Sequence, residues 1–219
     1  MKKSPIYLIA ACTKDGIIGI NGKLPWDDIP EDLEHFKMET IESVVIMGKS
    51  TYQSLVYRGL NSLPRRINIV VSKTMHDSHK IYKNILIVDT LKKAINIAKQ
   101  LERKIFLIGG YHIYEEGMKY ADQLIITELN LWIAEHKNFY YGIKCKNGDI
   151  NSSSIAFIKD EDTEELNITK FPKISSFTWI PEYVNTGKYQ TSITNGIEYR
   201  FVIYTRRRDM IKSCIKFKL

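Results

Sequence analysis

Lys104-Ile105-Phe106-Leu107-Ile108-Gly109-Gly110-Tyr111-His112-Ile113-Tyr114 decides the fold. Lys104 to Ile108 is short and almost wholly apolar, as a strand covered on both faces must be. Gly109-Gly110 breaks it, and a helix from Tyr111 to about Lys119 is predicted to come next. Working outward, the same unit recurs. Val44 to Met47 ends at Gly48, and Lys49-Ser50-Thr51 brings hydroxyls suited to a helix start. Ile67 to Ser72 and Ile85 to Val88 read as strands. Thr90 is placed to cap a helix in which Leu91, Ala94, Ile95, Ala98 and Leu101 form one apolar stripe. Ile6 to Cys12 and Leu124 to Leu129 complete the buried runs. Strands alternating with helices predict an α/β domain with a mostly parallel central sheet flanked by helices. Phe177 to Val184 and Ile197 to Thr205, joined through Gly187 and Asn195-Gly196, predict an antiparallel C-terminal hairpin at the sheet edge.

The chain of 219 residues suits one domain, assigned to 1–206. Hydrophobic residues make up 44% and charged residues 26%, which excludes gross disorder, collagen and a disulfide-dense miniprotein. No run approaches the ~18 apolar residues of a membrane span. Cys12, Cys145 and Cys214 match no zinc or redox spacing, and an odd count fits a reducing compartment. Cys12 reads as a buried thiol. Lys14 and Asp15 cut the first apolar run too short for a signal peptide, so a cytoplasmic protein is expected. Lys14-Asp15-Gly16 reads as a turn and Gly19 to Trp26 as a loop. Pro30 opens a helix with Glu31, Asp32 and Glu34 in its first turns. The stretch 133–166 lacks sustained apolar periodicity and reads as a partly mobile surface insertion, with Ile155 to Ile158 as one short strand. Residues 207–219 read as a basic tail, with Arg206 at its start and no clear partner. The net charge of +7 suits an anionic ligand, nucleic acid or lipid and does not choose among them.

Several positions invite chemistry. Gly109-Gly110 lets a backbone approach a phosphate at a helix N-terminus, or serves packing alone. Gly48-Lys49-Ser50-Thr51 repeats that choice. Ser72-Lys73 adds a hydroxyl and a cation at the end of a third strand. Together they lie where open α/β sheets bind ligands, and they suit a ligand with phosphates at more than one point. Asp32 lies four residues before Phe36 on one helix face. It is either a charge answering the helix dipole or a buried carboxylate that needs an amidine-like partner. Arg66 is either a solvated surface arginine or a clamp for a carboxylate. His35, His76, His79, His112 and His136 lack metal-ligand spacing and are assigned structural or surface roles, with no metal expected. Aromatic and basic residues do not interleave as in nucleic-acid modules.

Seven segments in order resemble dihydrofolate reductase. They are Ile6 to Ala11 with Gly16-Ile17-Ile18-Gly19 and Leu24-Pro25-Trp26; Pro30 to Lys37; Val45 to Leu55; Leu63 to Ser72; Ile108-Gly109-Gly110 with Tyr114; Ile126-Thr127-Glu128; and Tyr199 to Tyr204. The resemblance covers about 5–130 and 170–206. It implies NADPH-dependent reduction of 7,8-dihydrofolate to tetrahydrofolate. Asp32, Trp26, Leu24 and Thr127 would be the catalytic set. Asp32 would meet the pterin 2-amino group and N3, with Thr127 supporting it through that amino group or a shared water, and Trp26 would hold a water. Ile9, Ala10, Leu33, Phe36, Leu55, Leu63 and Ile108 would wall the pterin and benzoyl pocket, and Arg66 would clamp the glutamate carboxylate. Ala10, Ile18, Gly19, Gly48, Lys49, Ser50 and Thr51 would bind NADPH. So would Ser72, Lys73, Gly109, Gly110, Tyr111, Ile113 and Tyr114, with Lys49 and Lys73 reading the 2′-phosphate.

The resemblance also has gaps. Ile168 stands where the family often carries an acid ahead of Thr169, Phe171 and Pro172, so closure of the lid over the nicotinamide is the property least transferable. Two rivals are a pyrimidine reductase of riboflavin synthesis, which should lack the Trp26–Asp32 pair, and a non-catalytic nucleotide or RNA binder. A monomer is expected, with no nucleic-acid or membrane partner, unless the chain is half of a reductase–thymidylate synthase; the stretch after Thr205 is too short to hold a synthase.

Overall fold

A computed structural model describes residues 4–26, 28–75, 85–136, 139–146, 149–158 and 167–207. The order is β1 (Ile6–Thr13), β2 (Ile17–Ile20), α1 (Pro30–Thr40), β3 (Val44–Gly48), α2 (Lys49–Tyr57), β4 (Ile67–Val71), β5 (Ile85–Val88), α3 (Leu91–Gln100) and β6 (Ile105–Leu107). Next come α4 (Tyr111–Gly117), β7 (Gln123–Leu129), β8 (Leu131–His136), β9 (Phe139–Lys146) and β10 (Asp149–Ile158). Last are β11 (Ile168–Lys170), β12 (Trp179–Tyr183), β13 (Gln190–Thr191) and β14 (Glu198–Arg206). The main sheet runs β12-β14-β7-β1-β6-β3-β4-β5, with β13 alongside β14. From β7 to β5 every pairing is parallel, whereas β14 is antiparallel to β7 and β12 to β14. The predicted α/β architecture and its antiparallel C-terminal strands are what the chain forms.

Continuous apolar strands result from burial on both faces. In β3, Val44 and Ile46 join a core with Leu8, Ile69, Ile105 and Leu107 under α3, while Val45 and Met47 join another with Val70 and Phe106 under α2. All four β3 side chains are fully buried, so polar alternation has no place in that strand. Leu91, Ala94, Ile95 and Ala98 of α3 are buried as their stripe predicts, and Thr90 Oγ1 accepts from the Lys93 amide at 3.3 Å. A third cluster joins Trp26, Ile29, Leu129, Leu131, Ile197 and Tyr199 at the carboxyl end of β7.

Four expectations are corrected. Gly19 and Ile20 belong to the strand Ile17–Ile20 rather than to a loop that starts at Gly19, because this segment pairs antiparallel with β11. The described residues of the insertion form the antiparallel sheet β8-β9-β10 rather than one short strand, and Ile155 to Ile158 form only the end of β10. Its cross-strand ladders supply order that helical periodicity could not reveal. The helix after Gly110 ends at Gly117 rather than near Lys119. Arg206 is not a partnerless tail residue: it closes β14, its guanidinium donates to the carbonyls of Ala121 and Met118, and it lies over Trp179. The acidic run Asp160 to Glu165, His76, His79, Cys214 and the tail beyond Arg207 lie outside the described residues.

Candidate active site

The carboxyl ends of β1, β3, β4 and β6 point to one side, and the glycines there determine how closely segments approach. The Gly48 amide donates to the Gly109 carbonyl at 2.7 Å, and the Gly109–Gly110 peptide is cis. Gly109 has φ +111°, and a β-carbon there would meet the Tyr114 hydroxyl at 3.0 Å. One on Gly110 would lie 3.4 Å from Ser50 Oγ and 3.5 Å from Thr51 Oγ1. The starts of α2 and α4 therefore converge. Neither has a side-chain cap, so the first N–H groups of both are open to a ligand. Ile113 and Tyr114 are buried beneath them, and Tyr114 donates to the Ile9 carbonyl at 3.0 Å. Burial pushes the Tyr114 phenol well above its ordinary range, so it stays a neutral donor.

At the end of β4, Ser72 Oγ accepts from the amides of Thr74 and Met75, each at 3.2 Å. That turn brings Thr74 Oγ1 within 2.9 Å of Lys49 Nζ. Lys49, Lys73, Ser50 and Tyr111 are exposed at this end, and Tyr111 donates to Glu115.

Across β1 lies the second half of the candidate site. Asp32 sits in the first turn of α1, and Thr127 of β7 donates to its Oδ1 at 2.6 Å. Burial pushes the Asp32 carboxyl up, while the Thr127 hydrogen bond and nearby His35 act in the opposite sense. The contact with Thr127 is direct, beyond the shared-ligand support expected from sequence. Trp26 is buried against Ile29 and Leu129, whereas Leu24 is exposed. Ile9, Leu63 and Ile108 are buried in one cluster, with Phe36 and Leu55 packed against it; Ala10 is buried in the core on the other face. Leu33 is 45% exposed, free to meet a ligand from the helix surface. Arg66 is held by Pro64 O at 3.0 Å and by Thr40 Oγ1 at 2.9 Å, with its guanidinium 6.0 Å from the Phe36 ring. Ile18 and Gly19 lie on β2, the latter paired with Thr169.

Three supporting residues carry no sequence signal. Asn68 bonds both the amide and the carbonyl of Leu63 and the carbonyl of Arg66, which shapes the turn ahead of β4. Thr40 holds Arg66, and Thr74 holds Lys49. Each acts through a partner set by the tertiary fold.

A mostly parallel open sheet with two uncapped helix starts at the carboxyl ends of its strands, and a carboxylate held by Thr127 across β1, is an α/β architecture of the class that binds ligands at that end of the sheet. The dihydrofolate reductase family model matches residues 5–140. The chain is 39% identical over 131 residues to dihydrofolate reductase type 9 of Escherichia coli, covering 58% of this chain and 71% of that one. It is 39% identical over 127 residues to dihydrofolate reductase of Buchnera aphidicola from Acyrthosiphon pisum, covering 58% and 73%. A solved Enterococcus faecalis dihydrofolate reductase, complexed with NADP(H) and RAB-propyl, superposes with TM-score 0.62 at 22% identity over 93% of this chain and 96% of that one, which shows the shared fold. The chain belongs to the dihydrofolate reductase family.

Proposed function

We propose that the chain reduces 7,8-dihydrofolate to 5,6,7,8-tetrahydrofolate with NADPH, which feeds one-carbon and thymidylate metabolism. The observation that carries this reading is the Asp32–Thr127 pair facing two uncapped helix starts across β1. When bound, NADPH supplies the hydride. The donors present fit it: open amides at α2 and α4 for the diphosphate, and Lys49 with Thr74 and Lys73 for the 2′-phosphate. Ala10, Ile18, Gly19, Ser50, Thr51, Ser72, Tyr111, Ile113 and Tyr114 line or support the same side.

The protein's work is largely positioning and exclusion of water. Asp32 accepts from the pterin 2-amino group and the N3 side. This fixes the ring and favours protonation at N5, by way of a water beside Trp26. Thr127 orients the carboxylate. Ile9, Leu33, Phe36, Leu55, Leu63 and Ile108 enclose the rest of the substrate, and Arg66 takes the glutamate α-carboxylate in bidentate fashion. Leu24 rides on the lid. We read the chain as acting alone, in the cytoplasm.

The test follows NADPH absorbance as dihydrofolate is added, with NADH in parallel. Rapid oxidation of NADPH and much slower oxidation of NADH is expected. Folded protein that oxidises neither would reject the activity and leave a binding role ahead.

A further inference from the structure

Glu31 and Asp32 are neighbours in the first turn of α1, and each is tied to a different part of the antiparallel unit β7-β14-β13. Thr127 of β7 donates to Asp32 Oδ1 at 2.6 Å. Glu31 is held by the loop between β13 and β14. Ser192 Oγ donates to its Oε2 at 2.9 Å, and the Ile193 amide donates to its Oε1 at 3.0 Å. Two consecutive residues thus engage both carboxylate oxygens, whereas a charge that only answered the helix dipole would be left to solvent. The same donors hold the Glu31 carboxyl below its ordinary range. The loop is a firm partner. Ser192 is buried, its amide donates to the Ile197 carbonyl and its own carbonyl accepts from the Gly196 amide, each at 2.9 Å. Ile197 shares a buried cluster with Ile29, the N-cap residue of α1. Ile29 offers no side-chain cap, and its carbonyl accepts from the amides of Asp32 and Leu33, each at 3.0 Å, to close the first turn.

We propose that Glu31 is a positioning residue: its hydrogen bonds to Ser192 and Ile193 fix the roll of α1, so that Asp32 and Leu33 meet the substrate in one orientation. Successive residues of a helix project about 100° apart. The bond from Thr127 to Asp32 alone leaves the first turn free to roll about its axis, and a second tether at that angle stops the roll. Rolling would turn the Asp32 carboxylate away from the pterin edge and carry Leu33 and Phe36 with it. The NADPH side, built on the starts of α2 and α4, would not move. The consequence for the substrate rests on Asp32 being the acid that meets the pterin; the tether itself does not.

The experiment compares Glu31→Ala, Ser192→Ala and Glu31→Gln with the parent chain. Equilibrium binding of dihydrofolate and of NADPH is measured separately, and amide hydrogen exchange is followed at Asp32 and Leu33 in the ligand-free protein. Glu31→Ala is expected to weaken dihydrofolate binding roughly tenfold and to speed exchange at both amides, with the Kd for NADPH unchanged. Ser192→Ala removes one donor and leaves the sequence of α1 intact. It should show the same two changes at smaller size, and it carries the test where Glu31→Ala fails to fold. Glu31→Gln keeps an acceptor for the Ile193 amide and offers a donor to the Ser192 oxygen, so it should bind dihydrofolate within about threefold of the parent. Equal losses for dihydrofolate and NADPH would reveal general loosening and overturn the positioning role. Unchanged exchange at Asp32 and Leu33 in both alanine variants would overturn the tether. A parent chain that binds no dihydrofolate would overturn the substrate assignment instead, and the exchange rates would still decide whether Glu31 holds the turn.

Discussion

Asp32 is held against its own stability. Burial raises its pKa in the folded protein, despite the hydrogen bond from Thr127 and the nearby imidazole. A carboxyl whose folded pKa is raised binds its proton more tightly than in the unfolded chain. Its contribution is therefore most favourable below the unfolded pKa and is lost as pH rises through the folded one. Asp32→Asn should accordingly raise the melting temperature at neutral pH, with the gain shrinking toward acid, while turnover falls about 10²- to 10⁴-fold. Calorimetry across pH alongside NADPH oxidation checks both halves; a variant less stable at neutral pH, or one with near-wild-type turnover, contradicts these roles for Asp32. Lys49 answers to a simpler rule. It is exposed and meets Thr74 at 2.9 Å, so Lys49→Gln removes a cation without disturbing the core. KM for NADPH should rise roughly tenfold, and KM for NADH should stay the same. Equal losses for both would place the 2′-phosphate elsewhere. Asp32 and Lys49 were legible because their chemistry lies in their own side chains and neighbouring motif. Thr74, Asn68 and Thr40 were not, because their role lies wholly in what the fold brings beside them.

Elements whose pattern lies in their own residues declared themselves, and those made by their partners did not. The α3 stripe needs only its own periodicity, and only Leu101, at the C-cap, stays partly exposed. Ile17–Ile20 carries no strand pattern of its own and is made a strand by Ile168–Lys170. Beyond it, Asn21 and Gly22 take φ values of +49° and +74°, and Ile20 and Lys23 bond each other across them. That is a tight two-residue reversal of the kind Asn-Gly favours. Asn21 then binds Asn167 twice: its amide donates to the Asn167 carbonyl, and its Oδ1 accepts from the Asn167 amide, each at 3.0 Å. The clasp ties this reversal to the residue just before Ile168, where the resemblance led to the expectation of an acid. Asn21→Ala removes one bond of the two and a residue tolerant of positive φ. Lid opening should quicken, so KM for NADPH should rise while the melting temperature changes little. Stopped-flow NADPH release measures this directly, and an unchanged release rate would detach the clasp from the lid.

At the scale of the whole molecule, the main sheet and the insertion sheet are separate hydrogen-bonded units. The family match ends at residue 140, within β9, and the chain returns to the main sheet only at β12 and β14. The added sheet is rooted at its base, where Leu131 is buried and Ile133 packs on the Trp26 cluster. Its far end leads back to Asn167, the residue clasped by Asn21. In sequence the insertion thus lies between Leu131 in the Trp26 cluster and Asn167 at the clasp. Because β8 to β10 bond chiefly one another, replacing residues 135–163 with a flexible Gly-Ser linker should leave the main sheet folded, with a modest change in melting temperature. The clasp would then hang from a slack tether, and each lid closure would have to order it again. kcat should therefore change severalfold where product release limits turnover, and the change should be larger in NADPH release than in the hydride-transfer step. A chain with the linker that matches the parent in both rates and in assembly state would show that the insertion neither tunes the lid nor supports a partner. A chain that fails to fold would show instead that the Trp26 cluster depends on more of the added sheet than Leu131 and Ile133.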